Sequence, residues 1–489
     1  MDDLKLFTVT EQKLHESITT VKNFSDNICM SFGLDKCGML NIKKGKATSS
    51  NEAFEGIEDL NPNTAYKYLG IYQSTQINHK KLKEEFISKY KSRVTRILNT
   101  KLSGLNIITA INTWAVPILL YTFGVLKWSD TDLHDVDRLT RKILTKFRCL
   151  HPKSSTIRLY LPRNEGGRGL QNIYKLCKTQ ILKIRSKLHA SNNDLLSFIS
   201  EYDSQCTPLN LENTDTDIGL DDVNHDVRQW KEKILHGRFP AFLNEEKIDK
   251  VASLTWLKNG QLYPETEGFV TAIQDRVIRT RNYEKHILKL DVVDKCRKCG
   301  NIGESIEHIM AGCPTLSESA YLGRHNKVAR LIHQHLALRH ELIEKNTPPY
   351  YKYSPQEVLE SANYLLYWDR PILTDRTVDF NRPDLILINK KEKNAIIIDV
   401  AVPLSHNVKK TENEKRSKYD NLRFEIKRLW KLKEVTIYPV VISAEGMVST
   451  DLRDIFSALN IPTIILVESQ KAVLLQTCHI IRKFLNGHS

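Results

Sequence analysis

The sequence predicts a multidomain α+β protein, and three observations carry that prediction. Its 489 residues exceed the roughly 250–300 that one hydrophobic core serves. Its positive charge is gathered in one helical stretch: residues 75–190 hold 23 Lys and Arg against 7 Asp and Glu, in a chain whose net charge is +14. From Asp379 onward the pattern changes to strand, turn, strand, helix, strand, as in a compact α/β unit.

The elements read in order as follows. Residues 11–32 put Leu14, Ile18, Val21, Ile28 and Phe32 on one side of an amphipathic helix, with Gly33 at its C-cap. Strand-like runs follow at 37–42 and 65–72 across a polar loop, so residues 1–75 read as α+β. From Lys80 to about Ser200 the periodicity is helical, interrupted by LPRNEGGRGL at 161–170. The acidic run at 213–226 reads as a linker. A helical stretch, a cysteine cluster and a second helical run ending before Pro348 and Pro349 come next.

Composition bounds the function. A basic helical segment suits a phosphate backbone as partner. Nine cysteines are an odd number, and Cys296, Cys299 and Cys313 crowd together while the rest are scattered, which suits a metal site better than a disulfide framework. The opening MDDLKLFTVTEQ is too acidic and polar for a secretory signal. Ile107 to Leu126 carries no charge, as a membrane span would. Thr109, Asn112, Thr113, Pro117 and Thr122 within it argue instead for a buried helix pair broken near Pro117. No membrane partner and no small-molecule substrate are expected.

Cys296, Cys299, His308 and Cys313 stand in a C-x2-C-x8-H-x4-C arrangement. Two thiolates two residues apart can grip one side of a tetrahedral Zn²⁺, and a His and a Cys can close the other. Four such ligands without a spare carboxylate suit a closed structural site. Lys295, Arg297 and Lys298 on the same loop are either nucleic-acid contacts or a solvated edge.

RPDLILINKKEKNAIIIDVAVP contains two β-rich runs, 385–389 and 395–400, joined by the charged residues 390–393. If those four residues form the loop, the numbers of opposed pairs sum to 783, and Asp384 lies across from Asp399. Their Cβ atoms would be roughly 5 Å apart. Carboxylates so placed repel unless a proton or a divalent cation lies between them, and Mg²⁺ held this way can activate water against a phosphodiester. Thr411 and Glu414 have capping-box spacing, which puts Lys415 in the first turn of the next helix and Lys418 and Tyr419 after it. Many nucleases carry their lysine two residues after the second acid; here Ala401 stands there. The residues alone leave two readings open, a metal hairpin or an edge hairpin with solvated acids.

These motifs, taken together, resemble the non-LTR retrotransposon polyproteins that use a restriction-like endonuclease, the group that includes elements inserting into ribosomal DNA. The knuckle, Arg324-His325-Asn326, Arg382-Pro383-Asp384, Asp399 and Glu414-Lys415 with Lys418-Tyr419 occur in that family's order. The resemblance implies a remnant of a reverse transcriptase palm at 1–75 and a basic helical thumb at 76–212. It further implies a linker and helical region at 213–295, the zinc knuckle and following helix at 296–347, and a restriction-endonuclease-like domain at 348–489. Met1, Asp2 and Asp3 are similar to the tail of a YMDD-type polymerase motif, Lys36 to the lysine after the helix that follows it, and Tyr68-Leu69-Gly70 to the primer grip. PRNEGGRGL resembles a loop common in these elements, and is otherwise a glycine-rich turn.

The implied function is Mg²⁺-dependent nicking of target DNA for target-primed reverse transcription. Asp384 and Asp399 would hold the metal, Lys415 and Lys418 would serve catalysis, and Arg324, His325, Asn326 and Lys36 would touch nucleic acid. The implied partners are a DNA target and the element's RNA, and the implied location is the nucleus. The strand that supplies the polymerase's first aspartate is expected upstream of Met1, so Asp2 and Asp3 are not expected to support RNA-directed DNA polymerase activity here. The competing reading is a non-catalytic RNA- or DNA-binding protein.

Overall fold

A computed structural model describes residues 4–31, 33, 37–48, 57–60, 66–73, 77–203, 206–212, 223–301 and 303–487. Asp2, Asp3 and Lys36, and residues 213–222 of the expected linker, lie outside the described residues. The chain divides into one unit of Met1–Ser92, Pro117–Leu133 and Cys177–Asp217 and a second of Arg93–Val116, His134–Leu176 and Ile218–Ser489. These bounds interleave along the chain and cut across the linear segments read from the sequence.

In the first unit Thr10 accepts from the Lys13 amide and starts a helix over Glu11–Asn27. The helix stops short of Gly33 because Cys29 already turns left-handed, at φ 56°. None of its residues is buried, so the apolar side read from the sequence has no core against it among the described residues. Residues 65–72, expected as one strand, contain a hairpin instead. Tyr66–Tyr68 pairs with Ile71–Gln73, and Leu69 and Gly70 turn at φ 47° and 77°, the pair of positive angles that a tight hairpin turn needs. Lys83 to Asp132 at 2.6 Å and Lys178 to Asp130 at 2.7 Å tie the basic helices together.

The apolar run expected to break at Pro117 does not break there. Helix Gly104–Ala110 passes through a π-turn at Ile111–Ala115 into helix Val116–Leu120. A wide turn just before a proline removes the need for the hydrogen bond its ring cannot donate. Thr463–Leu485 is long and apolar enough to cross a membrane, but 61% of its most apolar window is buried within the chain.

The second unit is organised on a five-stranded sheet: β1 (Val358–Glu360), β2 (Tyr364–Trp368), β3 (Leu385–Asn389), β4 (Asn394–Ala401) and β5 (Glu434–Val441). The order is β5-β4-β3-β2-β1, with β4 and β5 parallel and the other neighbours antiparallel. Pro439, which cannot donate to a ladder, falls in the edge strand β5. Helices α1 (Leu322–Arg339), α2 (Val408–Lys418), α3 (Asp420–Leu429), α4 (Thr450–Ala458) and α5 (Thr463–Leu485) accompany the sheet.

Strand alternation builds two cores. Leu385, Leu387, Ile398 and Val400 meet Val328, Ile332 and Leu336 of α1, with Leu452, Phe456, Leu466 and Val473 of α4 and α5. Ile386, Ile388, Ala395 and Ile397 face the other way, onto Tyr419 and onto Leu422 and Ile426 of α3. Helix α1, assigned from sequence to the knuckle segment, is thus a layer of the α/β sandwich. A third core joins Trp256, Val270 and Ile273 to Cys296, Ile309 and Cys313 and to Leu474, Cys478, Ile481 and Phe484 of α5. Helix α5 serves both the sheet and the cysteine cluster.

The 161–170 loop is structural in this unit. Arg163 binds Glu267 with two bonds of 2.9 Å each, and Arg168 donates to the same carboxylate at 2.8 Å and to the Cys149 carbonyl. Arg158, fully buried, meets Asp275 at 3.1 Å. A Cβ on Gly167 would lie 2.0 Å from the Leu161 carbonyl oxygen, so this turn admits only glycine.

Candidate functional site

The β3–β4 hairpin follows the expected register. Asn394 pairs with Asn389 and Ile398 with Leu385, across a loop at 390–393. The ladder ends there, and Asp399 and Asp384 are the residues just beyond its last pair.

Asp399 is 2% exposed and belongs to the strand face that α2 and α3 cover. Lys415 reaches its Oδ2 at 2.5 Å, and the Tyr419 hydroxyl donates to its Oδ1 at 2.5 Å. Burial, followed by the Asp399 charge and hydrogen bond, pushes the Tyr419 phenol far up, so it stays a donor. Lys418 donates to the Tyr419 oxygen at 2.9 Å, and burial lowers its ammonium below the usual lysine value.

Asp384 sits at the mouth of the strand pair. Its Oδ2 accepts from the Val400 amide at 2.6 Å and from His325 Nε2 at 2.9 Å. Among the described residues its Oδ1 makes no hydrogen bond. His325 Nδ1 lies 3.0 Å from Asn326 Oδ1. Burial works against the imidazolium, but the Asp384 carboxylate outweighs it and raises His325 to about 9. The His325–Asp384 contact is 59 residues apart in sequence, and no spacing rule could have found it.

Two expectations about the neighbouring residues are corrected. Helix α2 begins at Val408, after a 3-10 turn at Ser405–Asn407, so Thr411 lies inside it and Lys415 falls in its last turn. Val408 is buried against Ile248, Ala401 and Val441, which anchors the first turn earlier than the capping-box spacing suggests. Arg324 is 1% exposed and donates to Thr477 of α5 at 3.0 Å. Burial lowers its guanidinium to about 10. It locks α1 to α5 and is not presented to a nucleic acid.

The second cluster gathers Cys296, Cys299, His308 and Cys313, whose ligand atoms all lie within 4.8 Å of one another. Cys296 Sγ is 4.0 Å from Cys313 Sγ, and Cys299 Sγ is 3.4 Å from His308 Nε2. With metal–sulfur and metal–nitrogen bonds of roughly 2.3 and 2.0 Å, ligands on a tetrahedron around zinc have separations of this order. The four side chains therefore could hold Zn²⁺. The Lys298 amide donates to Cys296 Sγ at 3.4 Å, and Gly300 turns the loop at φ 72°. Burial pushes the Cys313 thiol up to about 11, so without a cation this core favours thiols over thiolates. Arg297, one of three cations with two readings on this loop, folds back onto buried Glu304 at 2.6 Å; Lys295 is exposed and Lys298 half-buried.

No protein-family model matches the chain. It is 22% identical, over 348 residues that make up 68% of this chain and 70% of the relative, to the retrovirus-related Pol polyprotein from type-1 retrotransposable element R2 of Popillia japonica. That distant similarity supports a relationship to non-LTR retrotransposon polyproteins.

Proposed function

We propose that the sheet carries a divalent-metal-dependent DNA-nicking site, in a chain related to retrotransposon polyproteins. The observation that carries this reading is the end of the β3–β4 ladder: it stops at Ile398 and Leu385, Asp399 and Asp384 are the residues just beyond, and the Asp384 carboxylate accepts from the Val400 amide. Lys415 and the Tyr419 hydroxyl lie on Asp399. The donor set suits Mg²⁺, which takes one or two carboxylates and fills its octahedron with water and substrate phosphate oxygens. Bound there, the ion would supply a water of lowered pKa and a counter-charge for the phosphorane-like transition state.

The chain's own groups have distinct tasks in this reading. The Val400 amide and His325 hold Asp384 Oδ2, which orients Oδ1 outward. Tyr419 holds Asp399 through Oδ1 and leaves Oδ2 to Lys415. Once substrate binds, the Lys415 ammonium can leave the carboxylate and follow the phosphate charge. Zinc at the cysteine cluster would brace the core shared with α5. Nucleic-acid affinity would come from the exposed cations of residues 75–190 and would fall steeply with salt.

The test compares the parent with Asp384→Asn, Asp399→Asn, Lys415→Ala and Lys418→Ala on supercoiled DNA in Mg²⁺. Each Asp change should lower nicking at least about 100-fold, or roughly 2.7 kcal/mol of transition-state stabilisation, while DNA binding survives. Equal nicking by parent and Asp variants sinks the proposal. The 2.5 Å Lys415–Asp399 pair also fits a second reading, a closed ion pair in a protein that only binds nucleic acid. Tight DNA binding by a parent that never nicks would favour it.

A further inference from the structure

Beside the acid cluster an open groove of about 760 Å³ runs between residues 378–380 and α2. Its α2 wall is a helical stripe: Lys410, Asn413, Glu414, Ser417 and Lys418, continued by Asn421 of α3. Its opposite rim carries Phe380, which is 50% exposed.

Three features define what this groove suits. Its charge is balanced, since Lys410 pairs with Glu414 at 3.8 Å and Asp379 accompanies Lys418, so it lacks the cationic surplus of a phosphate cradle. Asn413, Ser417 and Asn421 offer both donors and acceptors, as the edge of a base and a sugar require. Phe380 offers an aromatic ring where a base can stack.

Position gives the fourth argument. Lys418 Nζ lies over one face of the Phe380 ring, 5.2 Å from its centroid, which leaves the other face for a base, and 2.9 Å from the Tyr419 oxygen, which in turn holds Asp399. The groove therefore begins where the acid cluster ends, one side chain away.

We infer that this groove receives a nucleoside of the DNA strand being cut, next to the scissile phosphodiester and stacked on Phe380. The Lys418 ammonium then lies between the stacked base and the acid cluster, on the side where the strand's phosphate must pass. The identity of the strand rests on the nicking proposal; the stacking itself does not.

The experiment is photo-crosslinking, in buffer free of Mg²⁺ and of any chelator so that a zinc at the cysteine cluster stays in place, of the full chain to a short single-stranded oligodeoxynucleotide of mixed sequence carrying 5-iododeoxyuridine. Peptide mapping should find the cross-link at Phe380. Phe380→Ala should remove it and weaken binding of the oligonucleotide about tenfold, as loss of one base–aromatic stack does. Phe380→Trp should keep both, which excludes misfolding as the cause. Unchanged cross-linking and affinity in Phe380→Ala would overturn the inference. Nicking without a cross-link at Phe380 sinks the groove alone. A Phe380 cross-link in a parent that never nicks sinks the nicking proposal and leaves the nucleoside site standing.

Discussion

Glu267 and Asp399 are both acids buried beside cations in the larger unit, and their surroundings differ. Glu267 takes two arginines whose side chains are 9% and 1% exposed. Each arginine also reaches a main-chain carbonyl, Leu257 for Arg163 and Cys149 for Arg168, while Arg163 Nε and Arg168 Nη2 stay buried without a partner among the described residues. Asp399 meets Lys415, which is 22% exposed, and its neighbouring acid Asp384 is 18% exposed beside a His325 that is 22% exposed. In the first cluster both carboxylate oxygens are held by buried guanidinium groups, which offsets the desolvation of the acid. The second leaves its cations and one carboxylate at the surface, where an incoming metal or phosphate can replace a partner. A buried charge closed on all sides holds a loop in place; one left half open can do chemistry.

The largest expected effect concerns what supports both clusters. The core around Cys296 and Cys313 includes Val270 and Ile273 of the helix that carries Glu267, and Ala444 and Leu474 beside the sheet. Purified chain should contain about one zinc, and stripping it with a chelator, or Cys296→Ser, should unfold the cysteine loop and loosen α5 together. A zinc-free folded chain with an unchanged melting curve would break this link. Because α5 also lines the core of the sheet, the α/β sandwich should loosen with it.

Next in size, Glu267→Gln should destabilise the chain by about 3–5 kcal/mol, because it strands two buried guanidinium groups. Denaturant melts should register the loss, while nicking by the folded fraction stays at the parent's rate. A specific loss of nicking with normal stability would mean that the closed cluster is not merely structural.

A pH test sharpens the contrast from a third buried site. His333 is fully buried, lies 2.9 Å from the Tyr353 hydroxyl, and burial lowers it to about 4 from its ordinary 6.5. The unfolded chain then binds a proton that the folded chain refuses, so stability is complete above about pH 6.5 and falls as pH drops toward 4, by roughly 3 kcal/mol at most. His333→Gln should flatten melts over that window. An equal acid-side loss in the variant would place the titration elsewhere.

The smallest expected change is in the stability of Asp399→Asn. Asn can still accept from Tyr419, and Lys415 can turn to water, so melts should move by no more than about 1 kcal/mol while the nicking rate collapses. A loss of the size expected for Glu267→Gln would make the two clusters alike and remove the basis for calling one of them a site.

Much of the site was legible because its information is local. The alternation of 385–389 and 395–400 and the four charged residues between them set the hairpin register, and so bring Asp384 and Asp399 to the end of the same ladder. The spacing of Cys296, Cys299, His308 and Cys313 anticipated a cluster whose ligand atoms do converge. Local signals also misled. The Thr411–Glu414 spacing mimics a capping box, but burial of Val408 starts the helix earlier. AYKYLGIY reads as one strand until Leu69 and Gly70 turn it back.

By itself the sequence determined strand register and ligand spacing, properties of residues close together along the chain, and the order of motifs along it. Tertiary structure alone decided that His325 reaches Asp384, that Arg324 is buried against α5 while its neighbour is not, and that α5 serves both the sheet and the cysteine core. The physical reason is that a residue's partner across the fold depends on which helix faces pack together, and packing is decided by complementary shape and burial over the whole core. Periodicity says which face of a helix is apolar. It does not say what that face will meet.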